Sequence, residues 1–202
     1  MHPNKAFDWT DRKEMLRFAD ERSFAHIFTA TQAGLFVVHA PVLVTEQGKL
    51  WFHVARRNRI AAHIEGSRLL ISIAGREGYQ SANWYVSDNQ VPTWHYEVVE
   101  IEGAARTLSE EDLVALLDGL SARHEGKTSP EKPWTRAKME PGKFEAMTKA
   151  IIGFEVDPTE VRGTRKFNQH KPADDLAATI EGQRSAKRDD IVKAIHQVTR
   201  GE

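Results

Sequence analysis

The sequence predicts a mainly β protein with flanking helices, in which six or more short antiparallel strands form a closed or split barrel. Two observations lead to this fold class. Between residues 24 and 54, three runs rich in β-branched and aromatic residues are separated by the turn-forming segments TQAG and TEQGK. Further strand-like runs follow, and none alternates with a long crossover helix, so a doubly wound parallel sheet is not expected.

The first hundred residues can be assigned in order. Asp11 and Glu14 predict the start of a helix. The strands FAHIFTAT, GLFVVHAPVLV and KLWFHVA come next. We then expect a short helix over residues 57–65, ended by Gly66, and two separate strands, RLLISIAG and GYQSANWYVS.

One long strand, TWHYEVVEIEGAARTL, opens the second half, and its Gly103 is expected to mark a bulge or bend. Ser109 predicts the N-cap of a helix that ends near His124, and PGKFEAMTKAI predicts a shorter helix. IIGFEVDPTEVRG reads as a last strand broken at Pro158, and two helices follow it. We therefore divide the chain into a barrel domain, residues 1–163, and a helical extension, residues 164–202, packed on the barrel or on a partner subunit.

Composition excludes several kinds of site. The 202 residues carry 28 Lys and Arg against 29 Asp and Glu, so the charge pattern gives no support for DNA as a partner, although DNA binding stays possible. Cysteine is absent, which excludes disulfides, thiolate nucleophiles and iron–sulfur sites. No signal peptide is visible, and no apolar run approaches the ~20 residues of a membrane span, so we expect a cytoplasmic protein that binds no membrane.

Three arginines and an asparagine follow a predicted strand in FHVARRNRIAAHIEG, residues 52–66. Backbone N–H groups at a helix start, with arginines beside them, form a natural phosphate-binding site. A solvated cationic turn fits the same residues, and the sequence alone leaves both interpretations open.

Aromatic residues cluster in and just before VPTWHY, residues 91–96. Strand alternation places Trp94 and Tyr96 on one face and His95 on the other. Trp84 and Tyr85 lie just upstream. Packing in a core or interface and a wall for a planar ligand fit this pattern equally well.

Histidines at positions 39, 53 and 95 lie on predicted strands, but no metal-ligand spacing accompanies them, so no metal site is predicted. No nucleophile motif such as GxSxG is present either. Catalytic residues therefore stay unassigned, and the sequence does not decide whether the protein is an enzyme.

Several segments in order resemble the blocks of one family: SFAHIFTA, HAPVLV, HVARRN, SANWY, VPTWHY, IIGFEV and KFNQHK. Over nearly its whole length the chain is similar to the PaiB family, FMN-binding negative transcriptional regulators, whose blocks read SFGTL, HLPLLL, HxARxN, SPSWY, VPTWNY, IVGFE and KLSQN. The resemblance implies the six-stranded antiparallel split barrel of FMN-binding type that pyridoxamine phosphate oxidases share, with C-terminal helices. It also implies a homodimer with FMN at the subunit interface.

The resemblance further implies which residues bind FMN. The HxARxN block lies where this fold binds the FMN phosphate, and the HLP block offers backbone groups beneath the flavin ring. The VPTWNY block lies near the flavin and the dimer contact, and the KLSQN block reaches a flavin across the interface or closes the site. The implied cofactor-binding residues are His39, Ala40, Pro41, Val42, His53, Val54, Ala55, Arg56, Asn58, Trp94, Tyr96, Lys166 and Gln169.

The chain departs from the family blocks at several positions, so a side chain beside the flavin ring is expected to differ. The departures are Ala40, Gln80, Ala82, His95, Asn168 and His170. We expect an FMN-binding protein of PaiB type that acts as a transcriptional regulator or a flavin-dependent regulatory protein. An FMN-dependent oxidoreductase (a flavin reductase or oxidase) and a haem-binding or haem-degrading split-barrel protein are the alternatives.

Overall fold

Eight strands and five α-helices lie in residues 2–200, the part of the chain that the structure, a computed structural model, describes. The strands are β1 (Asp8–Trp9), β2 (Phe24–Thr31), β3 (Gly34–Val44), β4 (Leu50–Ala55), β5 (Arg68–Gln80), β6 (Thr93–Thr107), β7 (Ile151–Val156) and β8 (Glu160–Lys166). The helices are α1 (Arg12–Arg22), α2 (Glu110–Thr128), α3 (Lys143–Thr148), α4 (Ala173–Ser185) and α5 (Asp189–Arg200). No helix in this range is both long and apolar enough to cross a membrane.

Six of the strands form a closed ring. They are hydrogen-bonded in the order β6-β5-β2-β3-β4-β7, and β7 pairs in turn with β6. The predicted six-stranded barrel is therefore confirmed, and the full sheet has eight strands because β8 and β1 follow β6 on its other side. The three consecutive strands predicted between residues 24 and 54 are β2, β3 and β4, joined by the expected turns.

The chain divides into two compact units, each built from separate segments. The larger unit contains residues 12–73 and 100–161, and the smaller contains residues 2–11, 74–99 and 162–200 of the described chain. The predicted boundary at residue 163 stays a prediction. Residues 201 and 202 of the predicted extension, like Met1, lie outside the described residues.

Alternating side chains of the strands fill the core of the larger unit. Ile27, Phe52 and Phe154 have no exposed surface, and the Phe52 and Phe154 rings stack with centroids 5.5 Å apart. On the outside of the barrel, α2 packs its leucines at positions 113, 116 and 120 against Trp51 of β4 and Ile151 of β7. As predicted, Ser109 caps α2: its hydroxyl accepts a hydrogen bond from the Asp112 N–H at 3.0 Å.

The prediction of a helix over residues 57–65 is wrong. A single 3₁₀ turn at Ala61–His63 takes its place, preceded by turns. The Asn58 side chain accepts a hydrogen bond from the Ile60 N–H at 3.1 Å, and such side-chain bonds compete with the helical pattern. Ile60 and Ile64, whose spacing suggested a helix, are still both fully buried.

The separate strand predicted at GYQSANWYVS is also wrong. RLLISIAG and the first residues of this run form one strand, β5, which ends at Gln80. Beyond it, polar side chains bind the backbone: Ser81 accepts from the Asn83 N–H at 3.2 Å, and Asp175 of α4 accepts from the N–H groups of Val86 and Ser87, each at 2.9 Å. With these donors engaged, the segment does not continue as a strand.

Gly103 of β6 is explained by close packing of the backbone. A Cβ at this position would lie 2.4 Å from the carbonyl oxygen of Asp157, a contact that no side chain tolerates. The glycine therefore lets β6 approach the segment between β7 and β8. That segment contains Pro158, where the last strand is broken as predicted.

Three of the departures from the PaiB blocks meet in one buried network of the smaller unit. His95 Nε2 lies 3.0 Å from Gln80 Oε1, and Gln80 Nε2 donates to Thr179 Oγ1 of α4 at 3.4 Å. Asn168 Nδ2 donates to the same threonine oxygen at 3.2 Å. Because Gln80, His95 and Asn168 are at most 1% exposed, these three residues are explained by packing within the unit.

This network predicts a pH-dependent stability. Burial lowers the pKa of His95 to about 4. Below pH 6.5 the unfolded chain therefore binds a proton that the folded chain excludes. Between pH 7 and pH 5 the His95 contribution should lower the free energy of unfolding by about 2 kcal/mol, measurable by urea denaturation.

The His95→Asn variant isolates this contribution, because asparagine can still bond Gln80 but does not titrate. We expect its free energy of unfolding to change less between pH 7 and pH 5 than that of the wild type, by about 2 kcal/mol. Equal changes in the two proteins would contradict the assignment.

Candidate functional site

The ladder between β3 and β4 ends before either strand does. It pairs Val42–Val44 with Leu50–Phe52, and no further pair joins the two strands within the described residues. The segments 39–41 of β3 and 53–55 of β4 lie just beyond its last pair, Val42 with Phe52, and continue in their own strands. The barrel is therefore split here, between the two sequence blocks that the PaiB resemblance assigns to FMN.

Each strand keeps its other neighbour at the split. Segment 39–41 pairs with residues 24–26 of β2, and segment 53–55 pairs with residues 151–153 of β7. The edges that face the split have no strand partner in the described chain, so they present backbone N–H and C=O groups that a ligand can bind.

Side chains at the split alternate between the core and the outer face. Ala40, Val42 and Val54 are at most 3% exposed, so these predicted site residues can offer a ligand only backbone atoms. His39 is exposed and Pro41 half-buried on the outer face of β3. Within the predicted HAPV block, His39 and Pro41 can therefore also contact a ligand through their side chains.

A cationic turn, residues 56–59, follows β4 directly. The Arg56 N–H donates to the Ala150 carbonyl and its Nε to the Lys149 carbonyl, both at 2.9 Å, so the side chain is held against the start of β7. The carbonyl of Asn58 accepts from the Ala61 N–H at 2.9 Å, and its side chain holds the turn as described above. The Arg59 guanidinium lies over the Phe36 ring, 4.8 Å from its centroid.

Sequence reasoning missed two further cationic side chains, which lie beside Arg56. Arg56, Arg136 and Lys149 line one groove of about 240 Å³, together with Glu110 and Glu145. The β4–β7 ladder brings Lys149 there by pairing Ala55 with Ile151, and no sequence signal links positions so far apart.

The outer face of the β2–β3 hairpin exposes apolar side chains. Phe24, Phe28, Leu35 and Val37 are 38–81% exposed, and the register places Phe28 opposite Val37. Leu35 and Val37 lie on the same face of β3 as His39, by the two-residue period of a strand. We call these four apolar residues the hairpin patch.

His53 faces outward from β4, on the side covered by helices. It lines a cavity with Leu117 of α2 and Phe144 of α3, and burial lowers the pKa of its imidazole. Its neighbour Ala55 is exposed next to the turn. Within the predicted HVA block, the His53 side chain therefore faces the cavity under the helices, whereas the Ala55 side chain is exposed beside the cationic turn.

The remaining predicted site residues lie in the smaller unit. Trp94 is 53% exposed and meets Tyr79 edge to face at 6.1 Å, and Tyr96 is half-buried on the same strand. The other two aromatic residues of the cluster pack inside the unit: Trp84 lies against Gly182 of α4, and the Tyr85 hydroxyl accepts from Asn168 at 2.9 Å. In this aromatic cluster, Trp84 and Tyr85 therefore pack within the unit, whereas Trp94 is exposed on its surface.

Lys166 lies in a groove of about 210 Å³ with His170 and Lys171. Its Nζ donates to Thr93 Oγ1 at 2.7 Å, and burial lowers the pKa of the lysine. The pKa of His170 is also lowered, first by burial and then by the neighbouring cations. No carboxylate lines the described groove, so it suits an anionic group.

Gln169 is engaged by the backbone. Its Oε1 accepts from the Phe167 N–H at 2.8 Å, and its Nε2 donates to the carbonyls of Ala6 at 3.0 Å and Arg165 at 2.6 Å. These bonds fasten the loop after β8 to the N-terminal segment. They give its predicted contact with FMN no support, and that contact stays a prediction.

A family model described as "Putative FMN-binding domain" matches residues 1–160. The chain belongs to this family. FMN is therefore its cofactor, and the predicted PaiB resemblance is confirmed. The curated protein "Protease synthase and sporulation protein PAI 2" of Bacillus subtilis (strain 168) is 26% identical over 185 residues, which cover 90% of this chain and 88% of the relative.

Solved structures confirm the fold. A conserved hypothetical protein of Mycobacterium tuberculosis superimposes with a TM-score of 0.61 at 14% identity, over 85% of this chain and 94% of that one. The flavocytochrome Anf3 of Azotobacter vinelandii superimposes with a TM-score of 0.60 at 13% identity, over 82% of this chain and 72% of that one. At these identities the likeness concerns the fold alone.

The chemistry of the larger unit fits FMN. In the groove beside Arg56 three cations outnumber the carboxylates of Glu110 and Glu145, so it matches a phosphate. The open strand edges match the polar atoms of a flavin, and the hairpin patch matches its flat apolar body. When bound, FMN supplies one- and two-electron transfer. The residues of this chain bind and orient it.

Replacing Arg56 by alanine should weaken FMN binding about 10- to 100-fold, because a charge-assisted phosphate contact contributes roughly 1.5–3 kcal/mol. Titration of FMN fluorescence measures the change. Arg17→Ala is the matched control, since Arg17 is exposed on α1 and pairs only with Glu21. An affinity unchanged by Arg56→Ala would place the phosphate elsewhere.

Proposed function

We propose that the protein is a homodimeric, FMN-dependent regulatory protein of PaiB type, with FMN held at the β3–β4 split. The observation that carries this proposal is the end of the β3–β4 ladder beside the cationic turn. It places an open strand edge and a fixed arginine next to each other, at the two blocks matched to the family.

In this proposal, Arg56 and Lys149 hold the phosphate and segments 39–41 and 53–55 bind the flavin through their backbones. Arg56 is suited to this role because its Nε is fixed by the Lys149 carbonyl while its outer nitrogens have no partner among the described residues. Trp94 and Lys166 stay proposed FMN contacts on the family resemblance, supported by the exposure of the indole and by the cationic groove.

The proposed homodimer is supported by the hairpin patch. Leu35 at 81% and Phe24 at 53% exposure are large apolar residues that water solvates poorly, and exposed apolar side chains gathered on one face are typical of an interaction surface. A second copy of the chain covering this face would also enclose a flat ring lying at the split.

The regulatory role is supported by the name of the Bacillus subtilis relative, which refers to a protease synthase and to sporulation. Direct DNA binding has weaker support, because the net charge is −1 and a neutral surface gains little from counterion release. We therefore propose that flavin occupancy or redox state is the regulated signal. A gel-shift assay with the protein's own upstream DNA, at several salt concentrations, tests the direct alternative.

A redox enzyme is the second candidate, and His39 favours it. This exposed histidine lies at the split with its ring 4.8 Å from that of His26, so an imidazole would lie beside a flavin bound there. A haem protein of the same fold is a further alternative, suggested only by fold relatives such as the flavocytochrome.

The visible spectrum of the purified protein separates these functions. We expect flavin absorption bands after incubation with FMN, and slow or no turnover of NADH or NADPH, as for a binding role. Steady turnover with either nucleotide would establish the enzyme instead. A haem Soret band without flavin uptake would contradict FMN binding.

Replacing Leu35 and Val37 together by lysine should convert the dimer to a monomer, because two like charges would be buried against their symmetry copies. Light scattering after size exclusion measures the mass. FMN affinity should fall at least 10-fold in the same variant if the interface encloses the flavin. Val86→Lys, at a valine that is 69% exposed in another segment, is the control; a wild-type mass for the double variant would contradict the proposed interface.

A further inference from the structure

A second cavity lies on the helix-covered side of β4, in the larger unit. Its volume is about 320 Å³, close to the lower limit of ~300 Å³ for natural small-molecule sites and above the ~150 Å³ of an apolar cavity that holds benzene. The wall is mostly apolar. Its large side chains are Leu117, Trp134, Met139, Phe144, Met147 and Ile151.

His53 is the one imidazole in this wall. Its ring makes no hydrogen bond to any other residue between 2 and 200. Because Nδ1 is sealed from solvent, Nε2 is the ring nitrogen that a molecule in the cavity can reach. Burial lowers the pKa of His53, so the ring is neutral near pH 7 and takes a neutral partner.

The outer wall of the cavity is held in place by the segment between α2 and α3. The Trp134 N–H donates to Glu125 of α2 at 2.9 Å. Arg136 reaches back to Asp118 at 3.3 Å and lies 5.2 Å from the centroid of the Phe144 ring. These contacts connect the segment to both helices, so the cavity is built into the unit.

We propose that this cavity binds a small neutral aromatic molecule carrying one hydroxyl group, which hydrogen-bonds to the His53 imidazole. The aromatic body matches the walls formed by Trp134 and Phe144. An anionic ligand is disfavoured, because the wall also contains the carboxylate of Asp118. The cavity shares Phe144 and Thr148 with the groove beside Arg56, but its proposed ligand contact, the His53 ring, is not one of the proposed FMN contacts.

The test uses p-cresol and toluene, which differ only by the hydroxyl group, with the full chain. Ligand-observed NMR titration gives the dissociation constant of each probe. We expect p-cresol to bind in the millimolar range or better. The p-cresol preference, defined as the toluene constant divided by the p-cresol constant, should fall at least 5-fold in His53→Phe, because one hydrogen bond is lost.

Three controls complete the design. His124→Phe makes the same change at an exposed position of α2 outside the cavity, and it should keep the preference. Ser121→Phe fills the cavity and should abolish binding of both probes. Saturating FMN should leave p-cresol binding unchanged, which keeps failure of this site distinguishable from failure of the FMN site.

A readout in the wild-type protein covers the case in which His53→Phe does not fold. The ¹⁵N resonances of the His53 ring should shift on addition of p-cresol and much less on addition of toluene. Absence of p-cresol binding, equal shifts with the two probes, a preference unchanged in folded His53→Phe, or displacement of p-cresol by FMN would each overturn the proposal.

Discussion

The early end of the β3–β4 ladder is the constraint on which the candidate site depends. A barrel gains stability from every pair of strands that it closes, yet here the pairing stops at Val42 and Phe52 while both strands continue. The strands stay ordered because each keeps its other neighbour, β2 for β3 and β7 for β4. The fold thus holds two open backbone edges in fixed positions, and a ligand can bind there without the protein having to break a ladder.

Strand β4 has three different surroundings within a few residues. Phe52 and Val54 fill the barrel, and His53 faces the helix-covered cavity. Beyond the strand, Arg56 turns onto the Lys149 carbonyl. Because side chains alternate along a strand, a single run such as HVARRN can present its backbone and arginine to one site while its histidine lines another.

The smaller unit shows how departures from a family pattern can depend on one another. Gln80, His95 and Asn168 come from β5, β6 and the loop after β8. Gln80 and Asn168 both donate to Thr179 of α4, and His95 is bonded to Gln80. A buried network is favourable only when its members are paired. Replacing Gln80 by an apolar residue would remove the partner of His95 Nε2 and one donor to Thr179, so the residues at positions 80 and 95 depend on each other.

The sequence by itself determined the barrel class, the hairpin strands β2–β4, the cap of α2 at Ser109 and the family, because these follow from local periodicity, turn chemistry and ordered blocks. It failed at residues 57–65 and 81–87, where the side chains of Asn58, Ser81 and Asp175 bind the backbone in place of helix or strand partners. Only the tertiary structure decided where the barrel splits, that Lys149 lies beside Arg56, and that His53 and Arg56 face different surroundings. Each of these depends on strand pairing between distant segments, and pairing at that distance leaves no mark in local sequence.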